Sequence, residues 1–134
     1  MKIKQEQIEA VVAEASQKMS DANYSAVLVG GFVQGQTQIA QFISAHDREL
    51  GGAEAIIGVI FHAALLGVIF ARAAGRTLRI LSFEDLDSVS GGDSIATLAE
   101  RQPSVGDFIA SNVENADARK VLALIALAMD RVVA

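Results

Sequence analysis

The chain has no cysteine and no tryptophan, a single proline (Pro103), two histidines, and only 5% aromatic residues among 134. Without cysteine there is no disulfide, no zinc–thiolate centre and no thiol nucleophile. That usage suits a reducing compartment, and a cytoplasmic location is expected. The leading stretch MKIKQEQIEAVVAEAS carries glutamates where a signal peptide needs an apolar run, so secretion is not expected. Positive charge is also scarce: 11 basic residues face 16 acidic ones, for a net charge of −5. With no Lys/Arg cluster, such a chain repels a phosphate backbone and an anionic bilayer surface alike, which argues against nucleic-acid and membrane partners.

What is present is apolar and helix-forming. Hydrophobic residues make up 51% and charged residues 20%. A chain of this length fits one domain, 1–134, able to bury roughly two-thirds of its unfolded surface without a metal or disulfide staple. Few prolines and many alanines favour helices over a turn-rich β fold. Ile8, Val11, Val12, Ala15 and Met19 recur at three- and four-residue steps, with Glu6, Glu9, Gln17 and Lys18 on the other side: an amphipathic helix. Ser20 or Asp21 is a candidate cap for a second helix through NYSAVLVGGFVQ. Gly30, Gly31 and Gly35 weaken that reading and leave a β-hairpin as its rival. The helical spacing of Ile39, Phe42 and Ile43 favours helix. After the polar turn 46–52, a long helix is expected over 53–74, ending at Gly75. A connector follows, with a short helix capped by Ser82 and Asp85. Next come a helix in DSIATLAERQ and one opening at Pro103, then a last helix over 116–133 capped by Asn115.

Two stretches 66 residues apart match. In QTQIAQFI (36–43) and QPSVGDFI (102–109), Gln36/Gln102, Phe42/Phe108 and Ile43/Ile109 are identical. The register extends upstream to Val29/Ile95 and downstream to EAIIGVIF against KVLALIAL. The expected architecture is therefore all-α. It is a compact bundle of about six or seven helices, made of an N-terminal helix plus two pseudo-symmetric repeats (24–74 and 90–134) with central apolar helices.

Residues 55–71, AIIGVIFHAALLGVIFA, carry no charge and one histidine. Seventeen residues is the lower edge of a bilayer span, and His62 at its centre would be costly in lipid. The matching helix of the second repeat has only nine uncharged residues before Asp130, too few to cross. The run is thus expected to be a buried core helix. Ala63, Gly67, Ala71 and Gly75 recur on it at four-residue steps, a stripe that allows close approach of another backbone, either within the chain or across a dimer contact.

Chemistry is thin. His46 and His62 flank the 46–52 turn at heights differing by roughly 9 Å at 1.5 Å per residue, too far for one shared metal. Neither has a glutamate three residues ahead, and HExxH, G-x-S-x-G and phosphate-loop glycine patterns are absent. A metal recruited by His46 with Asp47, Glu49 or Glu54 is the weak exception, and an anion nest in SVSGGDSI competes with the charge of Asp93. Paired carboxylates at Glu84-Asp85-Asp87 and Glu114-Asp117 lie at helix starts, where acids complement the dipole. No catalytic residue, metal site or cofactor is expected. The expected function is a self-associating interaction or regulatory module, a homodimer with room for a protein partner. The alternative is a small-molecule binder or enzyme with an apolar pocket between the repeats near His62, lined by Gln36, Gln102, Phe42 and Phe108.

Overall fold

The structure, a computed structural model, describes residues 1–133. The described residues form nine helices and no strand. They are α1 (Gln5–Lys18), α2 (Tyr24–Gly35), α3 (Thr37–Ser44), α4 (Asp47–Leu50), α5 (Ala53–Ala74), α6 (Phe83–Asp87), α7 (Ser94–Arg101), α8 (Pro103–Asn112) and α9 (Ala116–Val133). The fold is all-α, as the apolar periodicity demands. The helices number nine rather than six or seven: the polar turn after α3 closes into the one-turn α4, and the short helix expected at Ser82 and Asp85 is present as α6. The hairpin alternative for 24–43 is excluded, since both stretches are helical.

Local chemistry sets most boundaries. Pro103 opens α8 where its missing N–H has no partner to lose. Asn115 Oδ1 accepts from Ala118 N–H at 2.9 Å, and Asp93 Oδ1 accepts from Ile95 and Ala96 N–H at the start of α7. Gly75 ends α5 at φ +69, a left-handed turn that costs glycine little. The start of α2 differs from expectation. Its flanking residue is Asn23, with no side-chain cap, and Asp21 instead accepts from Asn23 N–H outside the helix.

The core is built on α5 against α9. Leu66, Ile69 and Phe70 from α5 and Leu122, Ile125, Ala126 and Met129 from α9 are almost wholly buried. Each large aliphatic side chain sealed this way contributes about 1.5–3 kcal/mol. The shorter helices pack around this pair: α1 on α5 and α8, α2 on α5 and α3, α6 on α9 and α3, α7 on α9 and α8. Glu14 of α1 also pairs with Arg72 of α5 at 2.7 Å. Among the described residues, α5 is the one helix long and apolar enough to cross a bilayer, and 44% of its most apolar stretch is buried against its neighbours.

Candidate functional site

The opening that matters lies between α2 and α5. α2 is strongly apolar, yet none of its residues is fully buried. Leu28, Val29 and Phe32 half-bury against the core, while Val27 stays 69% exposed. From Ala22 to Ala45 the chain carries no charged residue. Between the two helices and the Thr77–Leu78 segment runs an open groove of about 450 Å³. Val27, Gly31 and Phe32 line one wall, and Ala64, Gly67 and Ala71 the other. Gly30, Gly31 and Gly35 face open space: an added Cβ at any of them meets nothing within 4 Å. Each such glycine costs a helix about 1 kcal/mol relative to alanine, and no contact within the chain requires it.

α7 lies against α9 and α8 much as α2 lies against α5 and α3. Its exposed positions, however, are Ala96, Ala99, Glu100 and Arg101 with Ile95, and only Leu98 is buried. Arg101 approaches Asp130 of α9 at 3.7 Å. The outer face of α7 thus carries two charges, Glu100 and Arg101, beside Ile95 and two alanines, whereas the outer face of α2 carries none.

The residues singled out from the sequence fall in different places. Gln36 lines the α2–α5 groove, but both ends of its amide are engaged within the chain: Nε2 donates to Arg79 C=O at 2.9 Å and Oε1 accepts from Leu81 N–H at 2.8 Å. Gln102 is 1% exposed and bonds Ile3 N–H, Met1 C=O and Asp130. Phe42 borders a separate hollow with His46, while Phe108 borders another beside α1. His62 Nδ1 lies 2.8 Å from Gly58 C=O, and its ring rests near Phe61 and Phe108. His46 makes the same i−4 contact with Phe42 C=O and is half-buried rather than freely solvated. Of the small-residue stripe, Ala63 is fully buried, Gly67 and Ala71 line the groove, and Gly75 terminates α5.

Among the described residues no three histidine or carboxylate side chains converge to hold a metal ion. No buried side-chain polar atom among the described residues lacks a hydrogen-bond partner. Among the described residues two carboxyls are held below their ordinary range, Glu14 by its bonds from Lys18 and Arg72 and, more strongly, Asp85. The Arg79 guanidinium, held in a two-point ion pair at 2.8 and 2.9 Å, keeps its carboxyl far below the usual range, and bonds from Ser82 act in the same sense. This carboxylate caps α6, as the Ser82/Asp85 spacing implied, and it is structural. Sequence reasoning missed Arg79, because an ion pair formed across a connector leaves no periodic signal. Comparison with known proteins finds no matching family model, no similar characterised protein and no similar solved structure.

Proposed function

We propose that this chain is a non-catalytic helical interaction module that self-associates through the open face of α2 and α5. One observation carries the reading: α2 keeps an uncharged, glycine-smoothed face toward solvent, whereas α7, similarly packed, exposes the charges of Glu100 and Arg101 beside Ile95 and two alanines. A twofold interface sets the same patch against itself, and a patch without charge has no like charges to repel. The exposed glycines let a second helix approach closely, which would offset their cost within the chain. The module works in the cytoplasm without cofactor, nucleic acid or membrane, a reading supported by the net charge of −5 and the lack of cysteine.

The two helical units, 24–74 and 90–134, derive in this reading from one duplicated unit. Gln36 (φ −132, ψ 61) and Gln102 (φ −138, ψ 73) support it, since each links two helices with nearly the same backbone angles. The N–H of each donates at 2.7 Å to the fourth residue before it, and the C=O of each accepts at 3.0 Å from the fourth residue after it.

Sedimentation equilibrium over a wide concentration range tests the association. A mass rising from 14.1 kDa toward twice that value is expected, and Val27→Asp should hold the protein at the lower mass. A constant 14.1 kDa for the unaltered chain at millimolar concentration would sink the proposal. The groove volume of about 450 Å³ also favours a second reading, binding of a small apolar molecule. Native mass spectrometry that retains an added mass, lost in Gly67→Leu, would select it.

A further inference from the structure

Two glutamines in this chain perform the same task on two different segments. Gln102 Oε1 accepts from Ile3 N–H at 2.8 Å, while its Nε2 donates to Met1 C=O at 2.8 Å. Gln36 Oε1 accepts from Leu81 N–H at 2.8 Å, while its Nε2 donates to Arg79 C=O at 2.9 Å. In each case one amide bridges the C=O of a residue and the N–H two positions on. A neighbouring strand reads an extended backbone in the same way.

The correspondence extends past the amide. The second bonded residue is an aliphatic sealed in the core, Ile3 at 3% and Leu81 at 0% exposure. The residue between, Lys2 or Ile80, points outward and is exposed. The next residue, Lys4 or Ser82, flanks a helix start. Its N–H is accepted three residues later, by Gln7 Oε1 at 2.9 Å or by Asp85 Oδ2 at 2.8 Å. The clamps also cross. The glutamine after α2 holds the segment ahead of α6, and the glutamine after α7 holds the segment ahead of α1.

We propose that Gln102 is the reading group of a peptide-recognition site. Its ligand is an extended segment with a buried aliphatic at the third position, followed by a capped helix. The site takes Met1–Lys4 with α1 from its own chain, and the same element from a second copy. The two clamps differ in a way that singles out this one for exchange. The segment under Gln36 is bolted by the Arg79–Asp85 ion pair and by Gln38 Oε1, which accepts from Phe83 N–H. Among the described residues the Met1–Lys4 segment under Gln102 has no ion pair of its own; the element is tied only further on, where Glu14 pairs with Arg72 on the surface, and a cavity of about 300 Å³ lies between α1 and α8, lined by Ile8, Val12 and Phe108. Exchange preserves the packing of α1 on α5 and α8 and opens only the turn between Lys18 and Tyr24, so its cost is that of association and of that turn. The exchanged element lies apart from the α2 face, and the two associations are separable.

Complementation tests the site. Ile3→Asp in the full chain drives the leading segment out of the core. A synthetic peptide of residues 1–18 is then added at up to millimolar concentration, the range of the local concentration it replaces. The expected result is a saturable rise of several degrees in Tm with one peptide bound per chain. The Ile3→Asp peptide should give no rise, and neither should the host that also carries Gln102→Ala. If the Ile3→Asp host does not fold alone, the readout becomes recovery of its helical signal on refolding with the peptide. No response in either form overturns the proposal, as does an equal response in the Gln102→Ala host. Val27→Asp in the host leaves peptide binding intact, so failure here is distinct from failure of the α2 interface.

Discussion

Replacing Gln102 by glutamate keeps the size of the side chain and reverses the sense of one hydrogen-bonding group. The Oε1 acceptor for Ile3 N–H survives. The Nε2 donor, which faces Met1 C=O at 2.8 Å and Asp130 Oδ1 at 2.7 Å, becomes a second acceptor turned on two acceptors. Two bonds are lost, one of them to a charged partner, and a carboxylate is placed at a site 1% exposed beside another carboxylate. Lost bonds of this kind cost about 1–3 kcal/mol each, and the buried charge adds to them, so the total at pH 7 is about 4 kcal/mol. Only the part of that cost that belongs to the charged form raises the folded-state pKa of the new glutamate above about 4.3, by one unit per roughly 1.4 kcal/mol. The sign follows: the folded protein binds the proton more tightly than the unfolded chain. Stability relative to the unaltered protein is therefore regained as pH falls from about 7 to about 4.5. The protonated acid then supplies one donor in place of the two lost, so the recovery is partial. Urea denaturation at pH 7, 6 and 5, with Gln102→Ala as control, measures this. The alanine variant should be destabilised by about 3 kcal/mol with no such pH dependence. A glutamate variant whose deficit is the same at pH 7 and 5 would refute the assignment of the Gln102 amide.

Other outcomes follow from the same structure. Asp85→Asn keeps the shape of the α6 cap but weakens the Arg79 pair, and a loss of about 1 kcal/mol is expected in thermal unfolding at pH 7. The Asp85 carboxyl is depressed, so in the unaltered protein its contribution is complete above about pH 4 and fades as the pH falls further; Asp85→Asn should lose less stability over that acid range. Gly31→Ala should raise monomer stability by about 0.5–1 kcal/mol, because the added methyl meets nothing and helical alanine is favoured. The same change should weaken self-association measured by sedimentation if α2 packs closely on a second copy. Val27→Asp, at 69% exposure, should alter monomer unfolding by less than about 0.5 kcal/mol while changing the association.

The helix ends were legible because their signals are local. Pro103, Gly75, Asn115 and the Ser82/Asp85 pair act within a few residues of where they stand, and α5 and α9 run over 53–74 and 116–133 as their apolar runs required. Asp21 misled because an acceptor near a helix start can serve a turn instead, and here it bonds Asn23. His46 and His62 were ambiguous in the sequence for a similar reason. An imidazole that sits on its own i−4 carbonyl has the same neighbours in sequence as one that binds a ligand.

The sequence by itself determined an all-helical chain without thiol chemistry, with acidic net charge, and with the pair Gln36 and Gln102 at matching positions. Periodicity, composition and caps are properties of neighbouring residues. Only tertiary structure decided what those glutamines do, because the segments they clamp lie 43 to 101 residues away and are held by backbone groups, which every residue carries alike. It also decided that no residue of α2 is sealed while α5 buries one side through Leu66, Ile69 and Phe70, although both read as apolar: burial depends on which surfaces meet, and no single helix encodes its neighbour.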